Sequence, residues 1–572
     1  MRTNIHPLLL VDNYKLEHIN MYPKNMTKLY SNFTPRKSRM KNISSVVVFG
    51  IQKFIRDYLV GYFNAYFFNV PKEQAIQGYA EYVKLKDYSH IESLHDLGYL
   101  PIKIKALPEG SRCPMGVPVL TIINTVDGFG WLVNYLETLI SNELWVPMTV
   151  ATIANEHRRV IDKWSLMTTG TTEGNEWLGH DFSMRGMRNV EDSVMSGMCH
   201  LLSFKGTDVI PAIVQMEKDY AFKRIEAGGV PATEHSVMCM GTKEAEIETF
   251  RRLLKEYPTG ILSIVSDTWD WFKTLSEYTL ELKDEIMSRD GKLVLRPDSG
   301  DQADIIAGTS GHYKDISDNL SEYPDRVNIN RKLEAFLTDL IWDIVEGETE
   351  PGCYGDDEFN RNFILNGKIL EVHAELIWDN CDKQFYYLEE VRNLAYTTRD
   401  FTIEEKGAIQ VLWEIFGGTI NELGYKVLGS HIGLIYGDGI GLHNLDDINS
   451  RLAAKGFATT NWVAGFGSFS YVYLTRDSFG FAMKAVYGEL KDPITGVVEQ
   501  REIFKDPVTD DGTKRSAKGL LRVDEFQGTY ILKQQVTPEE EAGGELKVVF
   551  QDGICLSDTN LEEIQRRLVQ FK

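Results

Sequence analysis

The segment RPDSG (Arg296, Pro297, Asp298, Ser299, Gly300) follows the apolar run KLVLR, so Arg296 stands at a strand end while Pro297 and Gly300 shape the turn that presents Asp298. A guanidinium beside a carboxylate can hold a phosphate with one group and sugar hydroxyls with the other. A structural Arg–Asp pair at a turn is the plainer alternative. Two glycine-rich turns, Gly437-Asp438-Gly439 and Gly465-Phe466-Gly467-Ser468, end later apolar runs. Glycine lets backbone N–H groups approach an anion closely, although GDG is also an ordinary tight turn. His235, in PATEHS, is a candidate phosphate ligand or phospho-acceptor, and Asp208 in FKGTD and Asp267 in SIVSD (Ser263 to Asp267) close two further runs. Each alone reads equally well as a local hydrogen-bonding residue. One histidine, three aspartates and Arg296 at four consecutive strand ends point instead to a shared site.

Elements that could position these residues are legible around them. From about residue 175 to 476, apolar runs end in polar, glycine-rich turns, with helical segments between several of them. The runs finish in FKGTD, PATEHS, SIVSD, LVLRPDSG, GLIYGDG and WVAGFGS, the pattern of a parallel sheet closed into a barrel whose loops converge on one face. Before it, Ile43 to Phe49, Pro101 to Leu107 and Val117 to Ile123 read as strands, and Trp131 to Trp145 as a buried helix. A segment rich in Asp, Glu and Asn, about 309–406, interrupts the rhythm as an insertion in one barrel loop. After Asp477 come β-like pieces such as Gly528 to Gln534 and Leu546 to Gln551.

The chain has 572 residues, enough for more than one core, and a formal net charge of -22 with scattered basic residues. No nucleic-acid partner is expected, whereas a locally basic cleft for a small anion remains compatible with that charge. The six cysteines are far apart and never form C-x-x-C, which suggests neither disulfides nor zinc and fits a cytoplasmic location. The apolar run Pro7 to Val11 is too short for a signal-peptide core or a membrane span.

In order along the chain, DNYKLEH (Asp12 to His18), YSNF (Tyr30 to Phe33), KALPEG (Lys105 to Gly110), VPMTVAT (Val146 to Thr152), HDFSMRG (His180 to Gly186), FKGTD, PATEHS, VSD, RPDSG, GDG, TRD (Thr475 to Asp477) and FKDPVTD (Phe504 to Asp510) followed by KRSAKG (Lys514 to Gly519) resemble the nicotinamide phosphoribosyltransferase family. The resemblance covers most of the chain. It implies an α/β fold: an irregular α/β barrel (146–476) plus a β-rich domain built from the N-terminal (1–145) and C-terminal (477–572) segments, with the inserted module in a barrel loop. It also implies a homodimer with sites at the subunit interface, and transfer of the phosphoribosyl group of 5-phosphoribosyl-1-pyrophosphate (PRPP) to nicotinamide, giving nicotinamide mononucleotide and pyrophosphate.

By the same resemblance the nicotinamide ring stacks between Phe182 of one subunit and Tyr14 of the other, and Asp208 accepts from its carboxamide while repelling the carboxylate of nicotinate. Arg185, His235 and Arg296 hold phosphate groups; the backbones at Gly437, Asp438, Gly467 and Ser468, with Arg476, surround the ribose phosphate, and Ser263 completes the substrate-binding set. Arg36, Lys484 and Lys505 reach in from the partner chain. Asp298 and Asp267 sit near the ribose hydroxyls and Mg2+, which is held mainly through pyrophosphate, and ATP is a coupled, stimulating co-substrate that phosphorylates His235.

Two departures stand out. The family's glycine-rich ending, usually close to GSGGG, reads here Gly467-Ser468-Phe469-Ser470 and is about two residues shorter before TRD, and the insertion is longer than the family needs. Competing readings are a nicotinate or quinolinate phosphoribosyltransferase, which needs a basic group where Asp208 stands; a non-catalytic pyridine-nucleotide sensor using the insertion as a partner surface; and an unrelated phosphosugar barrel such as an isomerase or aldolase, which leaves Phe182 and Tyr14 without a role.

Overall fold

The computed structural model describes residues 5–221, 224–324, 331–351, 353–437, 439–505 and 516–570, apart from 382–384. Asp438 and 506–515, most of the FKDPVTD–KRSAKG match, lie outside the described residues. The two ends of the chain share one seven-stranded sheet. Its order is Val498–Glu502, Phe481–Lys491, Met26–Pro35, Leu120–Asn124, Ile102–Ala106, Lys547–Gln551 and Ile554–Cys555. Met26–Pro35 runs antiparallel to Phe481–Lys491, with Asn32 opposite Lys484. Phe33 and Phe481, both fully buried, stack with ring centroids 5.2 Å apart. Burial of such aromatic pairs ties the C-terminal segment to the N-terminal one.

The helix expected at Trp131 to Trp145 is two helices, Gly130–Tyr135 and Glu137–Thr169, the second continuing across 145/146 with Pro147 inside it. Every residue from Pro147 to His157 is buried, so this stretch has no exposed face and no clear amphipathic period to read. No helix among the described residues is long and apolar enough to cross a membrane.

Six parallel strands form the second sheet, in the order Gly206–Thr207, Gly179–Asp181, Trp462–Phe466, Ile432–Tyr436, Asp290–Arg296 and Thr259–Val265. Apolar side chains toward their carboxyl ends, among them Leu262, Ile264, Leu295, Leu434 and Phe466, are buried, as expected of a parallel sheet covered on both faces. Segment 228–233 bonds to both edges and closes the ring. Thr207 N–H donates to Gly228 O (3.1 Å), Ser263 N–H to Pro231 O (2.9 Å) and Thr233 N–H to Ser263 O (3.0 Å). The PATEHS ending is therefore corrected: it belongs to no strand but to a segment with two isolated parallel bridges, Gly228 to Gly206 and Ala232 to Ser263, because the Gly-Gly-Val-Pro run removes a donor and loosens the ladder. The sixth strand is Gly179–Asp181, too short to show a period of two.

The insertion lies between the barrel strands Asp290–Arg296 and Ile432–Tyr436 and has a core of its own. Phe336, Leu337 and Ile341 of the helix Lys332–Glu348 are buried with Phe363, Leu370 and Val372 of a four-stranded sheet. Both ends of this excursion meet at two glycines in left-handed or related conformations, Gly308 (φ +88°) and Gly407 (φ +73°). A Cβ on Gly407 would lie 2.2 Å from Gly308 N, so only glycine allows the two backbones to touch. The Lys455 ammonium clasps the junction, donating to Ala307 O (2.8 Å) and Lys406 O (2.6 Å). Burial pushes its pKa down to about 8. Replacing residues 312–402 by a short Gly/Ser linker is expected to leave a single cooperative unfolding transition by circular dichroism, because the clasp and its acceptors stay; a broadened transition or loss of signal would show that the module props the barrel.

Candidate active site

The turns at the ends of five of the seven ring segments line an open cavity of about 770 Å³. Phe182, Arg185, Asp208, Arg296, Asp298 and Gly437 line it. Phe182 directly follows strand Gly179–Asp181, and its N–H donates to Phe466 O (2.9 Å) on the neighbouring strand. The two glycine-rich turns have a use unlike the one their composition suggests. A Cβ on Gly465 would lie 2.6 Å from the Phe182 ring and 2.6 Å from Gly437 Cα, and one on Gly437 would lie 2.9 Å from the same ring. These glycines make the slot in which Phe182 sits. The Arg296 guanidinium stands 5.9 Å from the ring centroid, within cation–π range. Asp181, fully buried before Phe182, accepts from Ser183 N–H (2.9 Å), and burial pushes its pKa up to about 6.

Asp208, half exposed, points into the cavity, and His180 donates from Nε2 to its Oδ1 at 2.9 Å. The His180 ring also packs on Phe182, with centroids 4.6 Å apart. Ser263 lies in strand Thr259–Val265 with its hydroxyl buried and without a protein partner.

A second group sits at the opposite side of Arg296. His235 opens a short helix; its Nε2 is 3.4 Å from Asp298 Oδ1 and its Nδ1 is 3.2 Å from the Thr268 hydroxyl. One Asp267 oxygen accepts from Asp298 N–H (2.9 Å) and from the Ser299 hydroxyl (2.5 Å), while the other is buried without a protein partner. Burial and the neighbouring Asp267 charge hold the Asp298 pKa above the usual carboxylate value. The ligand atoms of His235, Asp267 and Asp298 lie within 4.8 Å of one another, a donor set of nitrogen and carboxylate oxygens suited to a divalent cation. Arg296 donates to Thr233 O, which fixes the guanidinium, and burial lowers its pKa.

The remaining sequence-selected residues fall in two places. Ser468 packs on Gly186, next to Arg185, because Gly186 has no side chain to exclude its hydroxyl. Gly467 precedes it, close to Gly437 O; Phe469 is half exposed, and Arg476 lies 3.7 Å from Asp477 in the following turn. Tyr14, Arg36, Lys484 and Lys505 do not line the cavity. Tyr14 is exposed beside Lys15, which pairs with Glu137 at 2.7 Å. Lys484 is held below its ordinary pKa by burial first, with Arg36, Lys505 and Lys15 adding like-charge repulsion against the attraction of Glu137. Such crowding of cations is costly without an anion.

His180, Thr268 and Ser299 were not singled out from the sequence as site residues. For His180 the signal existed: it lies two residues before Phe182 in an extended segment, so both side chains face the same way.

Comparison with known proteins adds family evidence. The profile of the nicotinate phosphoribosyltransferase (NAPRTase) family matches residues 178–335 and 397–554, and that of the nicotinamide phosphoribosyltransferase N-terminal domain matches residues 6–104. The break in the first match falls inside the inserted module. A nicotinamide phosphoribosyltransferase from Acinetobacter baylyi is 42% identical over 589 residues, covering 100% of this chain and 98% of the relative. One from Mycoplasma pneumoniae is 27% identical over 539 residues, covering 91% and 96%. Among solved structures, nicotinate-nucleotide pyrophosphorylase from Pyrococcus furiosus aligns with a TM-score of 0.48 at 13% identity, covering 100% of this chain and 96% of that one. Human nicotinic acid phosphoribosyltransferase aligns with a TM-score of 0.46 at 13% identity, covering 98% and 92%.

Gly465→Ala places a methyl group against both a ring and a backbone carbon, and neither can yield without moving a barrel strand. The expected cost is about 1–3 kcal/mol of unfolding free energy by urea denaturation; an unchanged midpoint would show that the Phe182 slot is loose.

Proposed function

The chain belongs to the nicotinate phosphoribosyltransferase family, and we propose that it transfers the phosphoribosyl group of PRPP to nicotinamide, forming nicotinamide mononucleotide and pyrophosphate for NAD synthesis. The observation that carries this reading is the pairing of Phe182 with Asp208 in one cavity: an aromatic face for a pyridine ring beside a single carboxylate acceptor for a carboxamide N–H. A base bearing a carboxylate meets like charge there. The 42% identity with a nicotinamide phosphoribosyltransferase over the whole chain supports the same choice.

The reaction follows from this arrangement. The bond between the ribose anomeric carbon and pyrophosphate breaks, the pyrophosphate oxygen keeps the electron pair, and the neutral pyridine nitrogen forms the new bond from the opposite side, becoming a pyridinium. No protein proton or nucleophile is consumed. Phe182 orients the ring, Asp208 fixes its rotation, and Arg296 and Arg185 stabilise charge on the phosphates. Asp298 accepts from the ribose hydroxyls. Gly467, Ser468 and Arg476 flank the ribose phosphate in this reading. Asp267 and Asp298 would hold Mg2+, which would neutralise pyrophosphate charge, and His235 is left to the ATP step.

ATP is the coupled co-substrate in this proposal. His235, with the Asp298 carboxylate holding a proton at one nitrogen, keeps a lone pair on the other for attack on the terminal phosphorus of ATP; ADP then departs with the electron pair of the broken bond. The protein acts as a homodimer in which a second copy brings Tyr14, Arg36, Lys484 and Lys505 to the open cavity, a role supported by their grouping away from the cavity of their own chain. The free thiols of Cys113, Cys199, Cys239, Cys353 and Cys555 support a cytoplasmic location.

Purified protein with PRPP and Mg2+ is expected to form nicotinamide mononucleotide from nicotinamide and little product from nicotinate, read by mass spectrometry. Asp208→Asn is expected to narrow that preference at least tenfold, the scale of one charged hydrogen bond; unchanged selectivity in competition kinetics would refute the role of Asp208. His235→Ala is expected to lose stimulation by ATP, and a mutant that responds fully to ATP would rule out the phospho-acceptor.

A further inference from the structure

Resting on the assignment of Asp208 as the group that reads the base, we infer that His180 is the positioning residue that fixes the Asp208 carboxylate and thereby sets the preference for a carboxamide over a carboxylate. His180 touches both halves of the base site. Its Nε2 lies 2.9 Å from Asp208 Oδ1, and its ring packs 4.6 Å from Phe182 at an interplanar angle of 40°. The histidine side chain is 12% exposed and that of Asp208 52%, so a more enclosed donor holds a half-exposed acceptor.

The surrounding backbone is shaped to this pair. A Cβ on Gly206 would lie 2.9 Å from His180 Nδ1, and one on Gly229 would lie 2.7 Å from Asp208 Oδ1 and 3.5 Å from His180 Cε1. Two glycines, one on a barrel strand and one in the closing segment, therefore leave room for the imidazole and the carboxylate and for little else. The backbone of Asp208 is fixed as well, its N–H donating to Asp181 O at 3.0 Å.

The physical consequence concerns the free oxygen. An aspartate at a strand end rotates about two side-chain bonds and presents either oxygen to solvent. With Oδ1 engaged by an N–H donor, Oδ2 is the acceptor left for the base, at a direction set by the imidazole. A direct link from the stacking ring to the reading carboxylate keeps ring plane and acceptor in register.

The test compares variants in steady-state kinetics with nicotinamide and nicotinate. His180→Leu fills similar volume without a donor; it is expected to raise KM for nicotinamide about tenfold, with kcat within about twofold, and to reduce the nicotinamide preference about tenfold. His180→Gln, which keeps an N–H donor at similar reach, is expected to recover most of both. Where His180→Leu does not fold, His180→Asn, polar but too short to reach Asp208, carries the same expectation. Unchanged KM and selectivity in His180→Leu, or equal damage in the Leu and Gln variants, overturns the positioning role. Asp208→Asn separates the two levels: if it leaves selectivity unchanged, the base assignment falls and this inference with it, whereas a shift in Asp208→Asn alone removes only His180.

Discussion

Closure of the parallel sheet by segment 228–233 is the constraint on which the site depends. An ordinary strand ladder would have been the simpler solution, yet the chain uses Gly228 and Pro231 carbonyls as acceptors for Thr207 and Ser263. The irregular backbone gains something a ladder would not give. It carries Thr233, whose carbonyl anchors Arg296, and delivers His235 to Asp298 a few residues later. Without this segment the edges ending in Asp208 and Asp267 would lie open, and the cavity would have no wall on that side.

Electrostatics on this framework are local. The chain carries a net charge of -22, but Arg296 is held beside an aromatic face and Arg185 opens onto the same cavity. On the antiparallel sheet, Lys484 is crowded by Arg36, Lys505 and Lys15. Cations kept close and partly buried raise the energy of the empty site, and multiply charged anions recover that energy on binding. Asp298, with its raised pKa, and Asp267, with an unpartnered buried oxygen, are the mirror case: carboxylates waiting for positive charge.

Much of this was legible in the sequence because the longest barrel strands are apolar runs with punctuated ends: Thr259–Val265, Asp290–Arg296, Ile432–Tyr436 and Trp462–Phe466 all precede the turns chosen from residue types. The insertion is marked in the sequence by its composition, and in the structure the chain on either side of it meets at Gly308 and Gly407. What stayed hidden was short or buried. Gly179–Asp181 has too few residues for a pattern, the helix is buried all round from Pro147 to His157, and PATEHS reads as a strand end although Gly and Pro loosen its pairing. The glycines at 437 and 465 were found, but as anion ligands by type; their seat for Phe182 is visible only when the neighbouring strand is in place. For His180 the spacing to Phe182 shows a shared face, but its partner Asp208 is visible only once the ring is closed.

The touching backbones at Gly308 and Gly407 bear on how the barrel assembles. Strands Asp290–Arg296 and Ile432–Tyr436 pair in register, Leu293 against Ile432, although a long stretch of chain separates them. Closing such a loop costs chain entropy, and long-range parallel pairing is slow for that reason. Once the module has folded around its own core, its two ends stand side by side, and the distance along the chain that the barrel must span shrinks to the few residues flanking the clasp. A non-local contact becomes a local one, so the module acts on the barrel as a folding staple whose cost is met by its own core.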